Sequence, residues 1–148
     1  MVVDMKISVN LHGLDKKLED LEKGTMNLKT PLSQSATYME RSIGNRFRQA
    51  NWKPLSPTTI KVHPHRAGGK PLNDTGLLRR SVTSQAIKTV RPKQLVYGTN
   101  LVYAPMHNFG GIGGWGFRIP QREFLYFDEK DARAIKRIFE DYIKELSQ

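Results

Sequence analysis

The run Leu95-Val96-Tyr97-Gly98-Thr99-Asn100-Leu101-Val102-Tyr103-Ala104-Pro105-Met106-His107-Asn108-Phe109-Gly110-Gly111 leads into Ile112-Gly113-Gly114-Trp115-Gly116-Phe117. It returns through Arg118-Ile119-Pro120-Gln121-Arg122-Glu123-Phe124-Leu125-Tyr126-Phe127. This stretch holds most of the chain's aromatic residues and its densest glycines. Leu95 to Tyr97, halted by Gly98, reads as a strand running into a turn. Tyr103, Met106, His107 and Phe109 are spaced for one or two helical turns, with Pro105 tolerated only near the start. The glycines at 110, 111, 113, 114 and 116 free the backbone for positive φ, and Ile119-Pro120 forces it extended again. A strand, a helical turn, a glycine-rich loop and an anchored return make a scaffold that displays an element. Nothing in that order is a catalytic motif.

Working outward, Met5, Ile7, Val9 and Leu11 alternate with polar residues, the period of a half-buried strand. Leu14, Leu18 and Leu21 repeat at helical spacing, with Gly24 as a stop. A second helix begins near Pro31 and lines one face with Leu32, Ala36, Met39, Ile43 and Phe47. From Asn51 to Asn73 periodicity dissolves into a long proline- and glycine-containing loop, a length that is usually functional or disordered. Trp52 and Leu55 pin its near end. Asp74-Thr75-Gly76 marks a turn, with Asp74 or Thr75 capping a short helical turn through Arg80. A strand from Ser81 to about Val90, a turn at Arg91-Pro92 and a return strand from Gln94 to Tyr97 follow. Asp128 and Asp131 open an acidic helix start, and Ile135, Ile138, Phe139, Tyr142, Ile143 and Leu146 form its apolar stripe, with Glu140 set to pair with Lys144.

The expected architecture is a single α+β domain over residues 1–148. An antiparallel sheet of the first strand, the central hairpin and a Phe124 to Phe127 return packs against a long helix in the N-terminal half and an amphipathic C-terminal helix. Two long flexible loops, 51–73 and 110–117, leave that body.

At 148 residues the chain is long enough for one domain burying roughly 70% of its unfolded surface. The absence of cysteine excludes disulfides, thiolate catalysis and cysteine metal sites. No apolar run approaches a membrane span and no signal-peptide region opens the chain, so synthesis in the cytoplasm and no membrane partner are expected. The net charge of +10 is unevenly placed: residues 41–93 hold twelve Lys or Arg against one acid, Asp74. Such asymmetry points to a polyanion or a complementary acidic surface. Arg41 and Arg48 on the second helix, with Lys53, Lys61, Arg66 and Lys70 on the long loop, are the candidate contacts. No helix-turn-helix, zinc-finger or RNP signature accompanies them, so a nucleic acid would be met through phosphates.

Other motifs carry less. Gly111-Ile112-Gly113-Gly114-Trp115-Gly116 satisfies G-x-G-x-x-G, yet Arg118-Ile119-Pro120 cannot start the helix a dinucleotide site requires. Gly68-Gly69-Lys70 lacks the rest of a P-loop. His63, His65 and His107 have no acid or cysteine spaced to complete a zinc set, so a solvated loop is the better reading and no cofactor is expected. No serine sits in G-x-S-x-G. Trp115 and Phe117 at a loop tip are exposed apolar groups of the kind that mark a protein contact.

Taken in order, these residues carry a resemblance. Tyr103-Ala104, His107, Phe109-Gly110-Gly111, Ile119-Pro120, Arg122 and Phe124-Leu125 resemble the phage virion morphogenesis family, the Mu-like tail-completion and head-to-tail joining proteins. Trp52, Pro54-Leu55-Ser56 with Thr59, and Leu72, Asp74-Thr75-Gly76-Leu77, Arg79 and Ser81 fit the same pattern, over roughly residues 40 to 145. Glu123 departs from it, standing where proline is common. The resemblance implies a structural phage or prophage protein, not an enzyme, acting at the neck or tail end as a ring subunit. It would be assembled in the host cytoplasm and carried in the virion. Its partners would be other neck and tail proteins, with non-specific DNA contact as a further option. The alternative reading is a sequence-independent nucleic-acid-binding protein. Trp115, Phe117, Arg118 and Arg122 are the expected partner contacts. Trp52, Thr75, Gly76, Tyr103, His107, Phe109, Gly110, Pro120 and Phe124 are expected to be structural.

Overall fold

The helix that organises the core is α1 (Lys29–Gln49), whose Leu32, Ala36, Met39, Ile43 and Phe47 are all buried on the face the spacing predicts. The structure, a computed structural model, describes residues 3–7 and 27–146. The predicted Leu14–Leu21 helix, its stop at Gly24 and the strand positions Val9 and Leu11 lie outside the described residues. The last long helix, α5 (Glu129–Leu146), buries Ile135, Phe139 and Ile143 and packs along α1. Its start is doubly capped: Asp131 N–H donates to Asp128 Oδ1 at 2.8 Å, and Asp128 N–H donates to Asp131 Oδ2 at 3.2 Å. Two otherwise orphaned N–H groups are thereby satisfied. Glu140 faces Lys136 at 3.9 Å and not Lys144.

Helix α1 packs on a three-stranded antiparallel sheet in the order β1 (Val3–Ile7), β3 (Gln94–Thr99), β2 (Ile87–Arg91). Ile7 pairs Leu95 on one side of β3 and Val90 pairs Leu95 on the other, while Arg91 opposite Gln94 closes the hairpin through Pro92-Lys93. Leu95 and Tyr97 are fully buried, and the Tyr97 hydroxyl donates to Val82 O at 2.7 Å. Burial, with Glu40 adding to it, pushes that hydroxyl's pKa above the usual tyrosine range.

Two expectations are corrected. The strand foreseen from Ser81 begins only at Ile87, because α3 (Leu77–Ser81) runs into further turns. Ser81 Oγ donates back to Leu78 O and Thr83 Oγ1 to Arg79 O, both at 2.7 Å, which holds the chain in helix and turn where a strand was expected. The Phe124 to Phe127 return joins no sheet. Side chains, not a strand ladder, satisfy its backbone, as described below. The 51–73 segment carries helix α2 (Pro57–Val62) and a 3-10 turn at Pro64–Arg66. Ser56 caps α2 by accepting from Thr59 N–H at 3.1 Å with Pro57 in the first turn, a local start signal in Ser-Pro-Thr-Thr.

Candidate functional site

Helix α4 (Ala104–Phe109) and the return segment hold a small projecting hairpin between them. Asn108 is buried in α4, and its Oδ1 accepts from Phe124 N–H at 3.1 Å and Leu125 N–H at 3.0 Å. One side-chain amide thus replaces a strand partner for the return. Arg122 N–H donates to His107 O at 2.9 Å. The Arg122 guanidinium reaches the other way, donating from Nε to Lys53 O at 2.8 Å and from Nη2 to Pro54 O at 3.0 Å. Trp52 completes this corner, its Nε1 donating to Glu123 O at 2.8 Å and its ring lying edge-on to Phe47, which also meets Phe124. The base of the hairpin is therefore fixed at several points.

Gly110 is the pivot. Its φ is 73°, and a Cβ there would lie 2.9 Å from Gln121 N and 3.1 Å from Ile119 O, both backbone atoms that cannot step aside. Glycine is required by both torsion and space. Beyond it β4 (Gly111–Ile112) pairs β5 (Arg118–Ile119), and Gly113 N–H donates to Phe117 O at 2.8 Å. Gly116 N–H then returns to Gly113 O at 3.2 Å, closing a turn with Trp115 as its third residue. Trp115 has φ 69° and ψ 11°, the torsions a type II turn demands at that position and ordinarily gives to glycine or asparagine. Its side chain is 98% exposed. An apolar ring that packs on nothing among the described residues, on a backbone costing about 1–3 kcal/mol, is not explained by the stability of the described fold.

Around this tip Ile112, Phe117 and, on α4, Phe109 are exposed, with Val102 and Tyr103 just before it. Arg118 points to solvent beside them. Tyr103 meets the His107 ring edge-on at 5.9 Å, and Pro120 is half-buried in the return. Burial, with the nearby Arg122 charge adding to it, lowers the His107 pKa, and its buried Nδ1 has no hydrogen-bond partner among the described residues.

The structure separates the remaining predicted residues. Arg122, expected at the partner surface, is 8% exposed and acts as the staple described above. Arg66, expected to meet a polyanion, is likewise buried: its Nη1 donates to Asn73 O at 2.9 Å and Nη2 to Lys70 O at 3.2 Å, closing the loop it sits in. Both face inward because a planar fork of donors satisfies carbonyls that an irregular segment leaves unpaired. Arg41, Arg48, Lys53, Lys61 and Lys70 are exposed. Lys70 Nζ donates to Arg48 O at the end of α1. Gly76, with φ 81°, is the residue preceding α3, and Thr75 Oγ1 accepts from Leu77 N–H at 3.4 Å. The His63 and His65 rings lie 5.9 Å apart, and His65 Nε2 sits 3.2 Å from Asp74 Oδ1. Among the described residues no three His, Cys, Asp or Glu side chains gather as a metal site.

Sequence reasoning missed the pair that ties this region to the core. Asp131, 1% exposed, accepts from Arg46 Nη2 at 2.6 Å, Ser42 Oγ at 2.8 Å and the Tyr38 hydroxyl at 3.1 Å. Burial, then that carboxylate, raises the Tyr38 pKa. Arg46 Nη1 also donates to Phe124 O at 3.0 Å and Tyr126 O at 2.8 Å, with the guanidinium 3.5 Å above the Tyr126 ring. One side chain therefore joins α1, the return and α5. The carboxylate side was legible as a helix start; the arginine entered only as one of the twelve basic residues of 41–93.

The sequence profile of the phage virion morphogenesis family matches residues 9–144. Mu-like prophage FluMu G protein 2 of Haemophilus influenzae (strain ATCC 51907 / DSM 11121 / KW20 / Rd) is 31% identical over 151 residues, covering 98% of this chain and 99% of that protein. No solved structure matches. Matched by the family profile over most of its length and by that relative nearly end to end, the chain belongs to the phage virion morphogenesis family.

Proposed function

We propose that this chain acts at the neck or tail end of a phage or prophage particle, in tail completion or head-to-tail joining, as one subunit of a ring. Its work is assembly and not turnover: it is made in the host cytoplasm, docks there onto other neck and tail proteins, and remains in the virion. The name of the Haemophilus relative, a Mu-like prophage protein, supports the phage setting.

The observation that carries the reading is Trp115, an almost fully exposed indole on a positive-φ backbone at the tip of a hairpin with a clamped base. Large aromatic anchors that fill a partner's pocket dominate binding energies. An arm that inserts into the next copy makes a heterologous contact, and heterologous contacts that close give rings. Phe117 and Arg118 would flank the anchor. The clamp keeps the arm's direction fixed, so less orientational freedom is lost on docking.

Sedimentation of the purified chain alone and with the neck and tail proteins of its own particle tests this. Ring-sized species and co-sedimentation are expected for the native chain, and both are lost in Trp115→Asn. A native chain that associates neither with itself nor with any of those proteins overturns the reading.

A further inference from the structure

A second surface has a different chemistry. Between α1, α3 and the turn after it lies an open groove of about 570 Å³. Arg41, Arg48, Arg79 and Arg80 all line it, joined by Asn73 and Ser84. Its one acid, Glu40, is ion-paired with Lys88 on β2. None of the four arginines has a carboxylate partner among the described residues. Arg80 donates to Thr75 O and Arg48 to Asn45 Oδ1, while Arg41 and Arg79 have no side-chain partner there. Four guanidinium groups facing one concavity repel each other, an arrangement that favours an anion in the middle.

We infer that this groove binds the phosphodiester backbone of duplex DNA without regard to sequence. Two absences among its lining residues select that ligand. No aromatic or large apolar side chain lines the groove. A protein partner would therefore find no pocket for an anchor, and an unstacked single strand would find no ring on which to stack. What remains are planar guanidinium forks that match phosphate oxygens, with amide and hydroxyl groups that donate to the same oxygens. Base edges go unread, because phosphate contacts position a duplex without specifying it. The hairpin takes no part, so the inference stands apart from the assembly reading.

The test is fluorescence anisotropy of a short labelled duplex of mixed sequence, titrated with the full chain over a salt series. Four phosphate contacts give a log–log slope of affinity against salt of about −3.6. The exposed pair Arg41→Gln with Arg48→Gln should reduce the magnitude of that slope by about 1.8, as should Arg79→Gln with Arg80→Gln. Circular dichroism reports whether each variant keeps its fold. A control pair on α5 outside the groove, Arg133→Gln with Lys144→Gln, removes the same charge and should leave the slope unchanged. Poly-glutamate at matched charge should bind more weakly than the duplex. The inference is overturned if the control pair weakens binding as much as the groove pairs do. It is equally overturned if folded groove variants keep the native slope, or if poly-glutamate binds as tightly as DNA, which would assign the groove to an acidic protein.

Discussion

Replacing Trp115 by asparagine should move stability and assembly in opposite directions. In the isolated chain the indole is 98% exposed, so its removal uncovers no buried surface. Asparagine tolerates φ 69° far better than tryptophan does, and relief of that strain is worth about 1 kcal/mol. The variant should therefore be as stable as the native chain or more stable by about that amount. In the assembled state the same ring would bury ~150–250 Å², a gross gain of roughly 4–6 kcal/mol at ~25 cal/mol per Å². Ordering of the loop and loss of translational freedom consume part of this, and about 2 kcal/mol is a conservative net loss for a central aromatic anchor. That corresponds to roughly a 30-fold weaker association. Urea unfolding at neutral pH measures the first quantity, and sedimentation of the chain alone and with the partner proteins proposed for it measures the second. A destabilised Trp115→Asn variant would show that the ring packs intramolecularly. Undiminished association would remove the indole from the contact. Either result refutes the reasoning.

Three further outcomes follow from the packing. Arg46→Met leaves the Asp131 carboxylate buried without its cation and should cost about 3–5 kcal/mol in urea unfolding, whereas adding Asp131→Leu to it should recover a substantial part. Gly44→Ala places a methyl group 3.9 Å from Thr83 Cγ2, ordinary contact, so helix propensity should raise stability by up to about 1 kcal/mol in thermal unfolding. His107 has a folded pKa below its unfolded value of about 6.5, so the unfolded chain binds more protons between the two values. Its contribution to stability is complete above the unfolded pKa and lost as pH falls through the folded one. His107→Gln should therefore flatten the difference in unfolding free energy between neutral and mildly acidic pH; a variant with the native pH dependence would count against the assignment.

The two long helices were legible because each is long enough for a 3.6-residue period to emerge: Leu32 to Phe47 on α1 are buried as read, and of the α5 stripe Ile135, Phe139 and Ile143 are buried, Ile138 and Tyr142 half-buried and Leu146 exposed. The β2–β3 hairpin announced itself through the turn expected at Arg91-Pro92, which falls one residue later, at Pro92-Lys93. What the sequence hid has a common cause. Arg46, Arg66 and Arg122 donate chiefly to backbone carbonyls, and every residue type offers the same carbonyl, so nothing in the composition of their partners marks the contact. A count of charges then assigns such arginines to the surface. The Phe124 to Phe127 return misled for the mirror-image reason. Its apolar residues suggest a strand, but the Phe124 and Leu125 N–H groups and Leu125 O go to Asn108, and Phe124 O and Tyr126 O go to Arg46, both distant in sequence. Of the hairpin, the exposed aromatic tip could be read from Trp115 set between glycines. The torsion of that tryptophan could not be read, since a propensity argument would have given the position to Gly114 or Gly116. That mismatch between residue and torsion is itself informative. A local rule broken with no compensating contact inside the described fold directs attention to a contact outside it, which is why the tip, and not the better-packed clamp beneath it, is where a partner should be sought.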